Sequence, residues 1–223
     1  MRRNHFIFLL VLSVLFTELY GNNTNDSLFR QFQNVADKVK LFDAQRIKRI
    51  DSIKSNFQNK RSEGDLSLYT HYLNLYEEYK LFKFDSAFQY ASKINAIAKS
   101  RNDSLLIVQS KIKLFFVLLS AGMFKEATEI AAEINLNGQP DKVRAEYYSL
   151  RGRYFYDLAA YVNDQFYSVR YVEDGNTYLD SALHLFPAHS FESYYYHGLK
   201  NLKTYNLEAG MSYFQTLMTW PSL

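Results

Sequence analysis

The sequence predicts an all-α fold in which antiparallel helix pairs stack side by side. Apolar residues recur at helical spacing, no segment alternates as a strand does, and only 8 Gly and 3 Pro interrupt 223 residues. Hydrophobic residues make up 48% of the chain and charged residues 22%, which is ordinary globular composition. The 19 Tyr and 18 Phe predict a core of large rings or a surface rich in Tyr.

The first 21 residues have the layout of a secretory signal peptide. Arg2 and Arg3 precede an apolar run over residues 6–16, and polar residues then lead to Gly21. The run is about half of the ~20 residues that a membrane-spanning helix needs. We therefore expect residues 1–21 to be a cleaved signal and the chain to be periplasmic. The alternative is an uncleaved anchor.

Residues 22–63 are predicted to form an N-terminal amphipathic helical segment. One apolar stripe advances in steps of four and three, and a second begins at Ile47, so the segment is either two helices or one helix bent near Asp43. Residues 38–61 are basic, which favours a solvated helix face; the alternative is an anionic partner such as a membrane surface. The first stripe consists of Leu28, Phe32, Val35, Val39 and Phe42.

Residues 64–223 are predicted to form helical repeats. Three turns, at residues 82–87, 122–127 and 204–209, resemble one another and end in Ala87, Ala127 and Ala209, where paired helices must approach closely. The helices are predicted over residues 66–80, 85–100, 105–121, 125–134, 141–161, 176–186, 190–204 and 207–219.

The spacing of small residues predicts a tetratricopeptide-like α-α superhelix. Gly175 and Ala209 lie 34 residues apart, the period of that repeat, and Ala87 and Ala127 lie 40 apart. Ala127 and Gly175 lie 48 apart, and the surplus falls on residues 161–174, predicted to be an irregular aromatic insertion. The repeat's Trp is absent, and no Gly is expected at the helix crossings.

With the repeats placed, the chain resembles exported tetratricopeptide proteins of Gram-negative bacteria. These look like the sensor halves of membrane-anchored regulators whose C-terminal domain has no assigned function. The resemblance implies a non-catalytic sensing module, and it leads us to expect that this chain is truncated, with longer forms at the inner membrane. The matching segments are residues 49–54, 118–127, 156–161, 178–183 and 198–200.

No catalytic, metal or cofactor site is predicted. The chain has no Cys, and His184, His189 and His197 are not spaced as helical metal ligands are. Neither a Gly-rich phosphate loop nor a Ser-centred elbow is present, and a net charge of +3 is too small to favour nucleic acid.

The candidate binding residues are the aromatics of the insertion and Arg170. Tyr and Arg dominate interaction hot spots, so an aromatic loop lining the concave groove is expected to receive a peptide or protein partner. Alternatively, these rings fill the wider helix spacing that an insertion creates, and a third hypothesis is a carbohydrate-binding protein. The candidates are Tyr154, Tyr161, Phe166, Tyr167, Arg170 and Tyr171.

Overall fold

The computed structural model describes residues 22–58 and 64–220, which contain nine helices and no strand. The expected signal peptide lies outside the described residues. Two compact units are present, Met1–Asn59 and Lys60–Leu223. The first contains α1 (Asn22–Gln58), a continuous helix, so residues 22–58 do not divide into two helices near Asp43.

The described part of the second unit, residues 64–220, contains eight helices, which confirms the all-α prediction. They pair in sequence order as α2 with α3, α4 with α5, α6 with α7, and α8 with α9. All of them except α7 begin and end within two residues of the predicted bounds. The helices are α2 (Asp65–Tyr79), α3 (Phe84–Ser100), α4 (Ser104–Ser120), α5 (Phe124–Ala132), α6 (Asp141–Val162), α7 (Tyr167–Leu183), α8 (Phe191–Lys203) and α9 (Leu207–Met218).

Local side-chain caps explain several helix starts. The Asp103 carboxylate accepts a hydrogen bond from the Leu106 N–H (3.0 Å), and the Ser190 hydroxyl accepts one from the Ser193 N–H (3.1 Å). Each side chain satisfies a backbone donor that has no partner in the first helical turn. Because these contacts are only three residues apart, the sequence alone located both starts.

Small residues mark the close approach of paired helices, with two corrections to the prediction. Ala87 and Ala127 are fully buried as expected, but in the last pair the buried residue is Gly210 and not Ala209. The N–H groups of Ala87, Ala127 and Gly210 all bond to the N-cap carbonyl, so these three are equivalent positions. Ala87 and Ala127 are the fourth residue after their N-cap, whereas Ala209 is the third, so Gly210 takes the equivalent position in the last pair.

Glycines do occupy helix crossings, contrary to expectation. A Cβ at Gly152 would lie 3.1 Å from the Gly175 carbonyl oxygen, and a Cβ at Gly175 would lie 3.1 Å from that of Gly152. In the last pair, a Cβ at Gly210 would lie 3.3 Å from the Gly198 carbonyl oxygen. The backbones of these pairs are therefore in contact, and only glycine fits.

The expected irregular insertion at residues 161–174 is largely helical. In α6, ten residues follow the crossing Gly152, whereas in α8 only five follow the equivalent Gly198. In α7, eight residues precede Gly175, whereas in α9 only three precede Gly210. At 1.5 Å per residue, each helix is extended by about 7.5 Å. The surplus residues therefore lengthen one helix hairpin and do not form a loop.

Candidate functional site

One face of the helical unit carries a groove of about 460 Å³. It is lined only by the first helix of each pair, α2, α4, α6 and α8, and by Lys80 directly after α2. Aromatic rings and charged groups dominate the lining. The rings are Tyr76, Phe116, Tyr156, Tyr195 and Tyr196, and the charged residues are Glu77, Lys80, Lys113, Glu146, Arg153, Asp157 and Lys203.

The groove arises from one spacing that recurs in all four helices. Positions i, i+1 and i+4 face it in each case, because they lie on one side of a helix. The second helix of each pair covers the opposite side. The four sets are Tyr76, Glu77 and Lys80; Ile112, Lys113 and Phe116; Ser149, Leu150 and Arg153; and Tyr195, Tyr196 and Leu199.

Lys113 connects the charges of three helices. Its side chain is only 14% exposed, and its Nζ lies 3.9 Å from Glu77 Oε1 on α2 and 4.0 Å from Glu146 Oε1 on α6. Glu77 also pairs with Lys80 at 2.5 Å. The Lys113 ammonium is therefore shared between two carboxylates, which places a polar centre among the rings of the groove.

Cations also lie over the rings of the groove. Lys80 and Arg153 lie 5.9 and 5.3 Å from the centroid of Phe116, and Lys203 lies 5.7 Å from that of Tyr156. Arg153 is paired with Asp157 at 3.2 Å, whereas no salt bridge within the described residues involves Lys203. The groove thus alternates rings with charged groups, and at its α8 end Lys203 contacts a ring and pairs with no carboxylate of the described residues.

Two buried tyrosine hydroxyls stabilise the fold. Burial raises the pKa of Tyr76 and of Tyr156, so both phenols stay protonated and can donate. Tyr76 donates to the Lys113 carbonyl (3.5 Å), and Tyr156 donates to Asn176 Oδ1 (2.5 Å). Both residues are almost fully buried, 2% and 1% exposed, so they form the floor of the groove while their hydroxyls link neighbouring helices.

None of the six predicted binding residues lines the groove. Tyr154 is a core residue, with its ring packed against Phe115, Phe124 and Phe155. The other five lie at the tip of the α6–α7 hairpin. They lie there because the extra residues extend the hairpin along its own axis, and their role in binding a partner stays a prediction.

The hairpin tip is nevertheless an organised aromatic surface. Tyr161, Phe166, Tyr167 and Arg170 are exposed, and the half-buried Tyr171 stacks on Tyr167 with ring centroids 6.2 Å apart. The exposed fraction of Tyr161 reaches 75%. Because these rings project from a hairpin that is longer than its neighbours, the tip is a second candidate contact surface.

A compact set of hydrogen bonds fixes the backbone of the tip. Asn163 adopts a left-handed conformation with φ 46°, which reverses the chain after α6. Asp164 Oδ1 then accepts from the N–H groups of Phe166 and Tyr167, both at 2.7 Å. The Ser168 hydroxyl donates to the Ala159 carbonyl at 2.8 Å. The exposed rings are therefore held on a defined frame.

The groove residues escaped prediction because their signal is distributed over four helices. Lys113 was the visible clue, since it interrupts an apolar stretch from residue 105 to residue 124. Glu77 and Lys113 occupy the same position in the first two helix pairs, and both line the groove. In the described residues, no three His, Asp or Glu side chains are placed to hold a metal ion.

Comparison with known proteins identifies the family. No curated protein and no solved structure matches the chain. A family model described as the SusR N-terminal TPR domain matches residues 37–222, which include all four helix pairs and the groove. TPR-type domains are in general non-catalytic protein-interaction modules. With most of its length matched, this chain belongs to the family of SusR N-terminal TPR domains.

Proposed function

We propose that the chain is an extracytoplasmic sensing module that binds a peptide segment in the groove of α2, α4, α6 and α8. The alternation of ring faces and charged groups along the groove carries this proposal. An extended peptide alternates apolar side chains with backbone carbonyls, so it matches a surface on which rings and donors alternate. Every helix pair contributes residues to this groove.

Arg153 is the groove residue best placed to contact such a segment. It lies over Phe116, it pairs with a carboxylate of its own helix, and about a third of its side chain is exposed. A guanidinium in this position can donate to a peptide carbonyl or carboxylate while keeping its ring contact. Its loss should therefore weaken binding without disturbing the buried core.

The test compares two matched arginine variants. A peptide-display library is selected on the purified chain, and the affinity of the best peptide is measured by titration calorimetry. Arg153→Gln in the groove is expected to weaken binding about tenfold or more, as loss of a hot-spot contact does. Arg170→Gln at the hairpin tip should change the affinity less than about twofold.

Each contrary outcome is informative. If Arg170→Gln weakens binding and Arg153→Gln does not, the aromatic tip is the binding surface and the groove proposal is wrong. If no peptide is enriched over an unrelated helical protein, the chain does not bind peptides. Circular dichroism of both variants verifies that the helices are intact.

The proposed location follows from the basic start and the apolar run of residues 1–21. Among the described residues, no helix combines the length and apolarity needed to cross a membrane. In the proposed role, the module is the sensory half of a regulator, as the family description suggests. Cell fractionation with intact-mass measurement tests export: a periplasmic product with the mass of residues 22–223 supports it, and an unprocessed cytoplasmic product refutes it.

A further inference from the structure

The first half of α1 carries a row of large apolar side chains that are open to solvent. Phe32 is 68% exposed, Val35 58%, Val39 51% and Phe42 59%. All four lie on a single helix of 37 residues. Most helices of this length gain their stability from burying an apolar face, so four such residues in sequence indicate a partner surface.

The spacing of the row is that of a coiled-coil seam. From Leu28 the positions advance by four, three, four and three residues to Phe42, which is a heptad repeat with an average step of 3.5. At about 100° per residue, all five positions fall within an arc of about 80°. These five positions alone span less than the apolar face of at least about 100° that suits a helix on a core or a lipid surface, and the exposed Phe29 lies about 60° outside the arc, at an e position that flanks the seam.

The flanking charges are complementary to those of an identical helix. With Phe32 and Val39 at the a positions, Lys38 occupies a g position and Asp43 the following e position. In a parallel pair, a g residue faces the e residue five positions further along in the partner helix. Lys38 of each helix therefore faces Asp43 of the other, and symmetry makes this ion pair twice. Beyond Phe42 the next a and d positions hold Arg46 and Arg49, so the seam ends there.

We propose that α1 pairs in parallel with α1 of a second copy of this chain, through residues 28–42. The seam is self-complementary in both shape and charge, as the interface of a two-fold symmetric dimer must be. The dimer brings two groove-bearing units into one assembly. This inference does not depend on what the groove binds.

The main test compares two glutamate variants of the full chain. Val35→Glu places a charge in the seam, whereas Asn34→Glu places it on an exposed neighbouring position outside the seam. Sedimentation equilibrium over a concentration series should give a dimer for the wild type and for Asn34→Glu. For Val35→Glu, the dimer dissociation constant should rise about tenfold or more, since a buried unpaired charge is costly.

Charge exchange tests the register and direction of the helices. Lys38→Asp and Asp43→Lys should each weaken the dimer, because each creates two like-charge pairs, and an equimolar mixture of the two variants should restore it. Because the chain has no cysteine, Val39→Cys provides an independent check. In a parallel pair the two introduced thiols lie within disulfide distance, and mild oxidation should cross-link the dimer.

Three results would overturn the proposal. The wild type could be monomeric over the whole concentration range. Val35→Glu and Asn34→Glu could dimerise equally, which would place the dimer contact on another surface. Finally, the monomeric wild type could float with phosphatidylglycerol vesicles and lose this property only in Val35→Glu, which would make a lipid surface the partner of the seam.

Discussion

Gly175→Ala should destabilise the helical unit although alanine favours helix formation. A Cβ at this position would lie 2.6 Å from Tyr156 Cε1 and 3.1 Å from the Gly152 carbonyl oxygen. Neither neighbour can move easily. The Tyr156 ring is only 1% exposed, with its hydroxyl bonded to Asn176, and the carbonyl belongs to the backbone of α6. The helices must therefore separate to admit the methyl group.

The expected magnitude is the difference between two effects. Overpacking of this kind costs about 1–3 kcal/mol, and a contact with fixed backbone lies at the upper end of that range. Replacing a mid-helix Gly by Ala returns up to about 1 kcal/mol through helix propensity. We expect a net loss of about 2 kcal/mol, which corresponds to a fall in Tm of roughly 4–8 °C for a unit of this size.

Urea denaturation followed by circular dichroism measures this loss. Thr177→Ala is the matched control, because Thr177 is exposed on the same helix and its hydroxyl donates to the Glu173 carbonyl one turn earlier. The control should lie within about 0.5 kcal/mol of the wild type. If Gly175→Ala is neutral or stabilising, α6 and α7 do not cross with backbone contact, and the inference about Gly152 and Gly175 is refuted.

Three further perturbations test other parts of the structure. Burial raises the pKa of Tyr69 to about 12 and its hydroxyl has no partner among the described residues, so Tyr69→Phe should stabilise the fold by about 1 kcal/mol at pH 7. Between about pH 10 and 12 the phenol of the unfolded chain ionises before that of the folded chain, so the free energy of unfolding falls as the pH rises. Tyr69→Phe should reduce this slope in urea titrations at different pH. An unchanged slope would contradict the raised pKa of Tyr69. Tyr205 has a left-handed φ of 61°, and its side chain is 89% exposed. Tyr205→Gly should therefore add about 1 kcal/mol to the free energy of unfolding, measured in thermal melts. Tyr205→Ala keeps a Cβ and should add none. Asp164→Ala removes the acceptor for two N–H groups at the hairpin tip, which should cost about 1 kcal/mol of stability. Amide hydrogen exchange at residues 166–168 should accelerate. The control Glu173→Ala, further along α7, should leave this exchange unchanged.

The helix bounds could be predicted because their signals are local. Asp103 and Ser190 cap helices through contacts within three residues, and Pro140 with Gly138 breaks the chain between α5 and α6. The exception is α7, which begins nine residues before its predicted start at residue 176. Its first turns are polar and aromatic, and they are helical because α6 extends beside them, which no local pattern reveals.

The groove could not be located from the sequence, and the positions of the six predicted residues show why. Tyr154 and Tyr161 are seven residues apart and chemically identical, yet the first lies in the core and the second is exposed at the hairpin tip. A helix pattern indicates which residues share a face, but not which neighbour covers that face. The repeated i, i+1, i+4 sets of α2, α4, α6 and α8 acquire a meaning only when the four helices lie side by side.

By itself, the sequence determined the all-α class, the pairing of consecutive helices and the need for small residues where they cross. These properties depend on contacts between residues close along the chain. Tertiary structure alone decided that the surplus residues lengthen a hairpin and that Gly152 meets Gly175. It also brought Tyr76 and Lys203 to one groove, although they lie 127 positions apart in the sequence. Such contacts depend on how whole helices stack, because the burial of each face is settled by its neighbour and not by its own pattern.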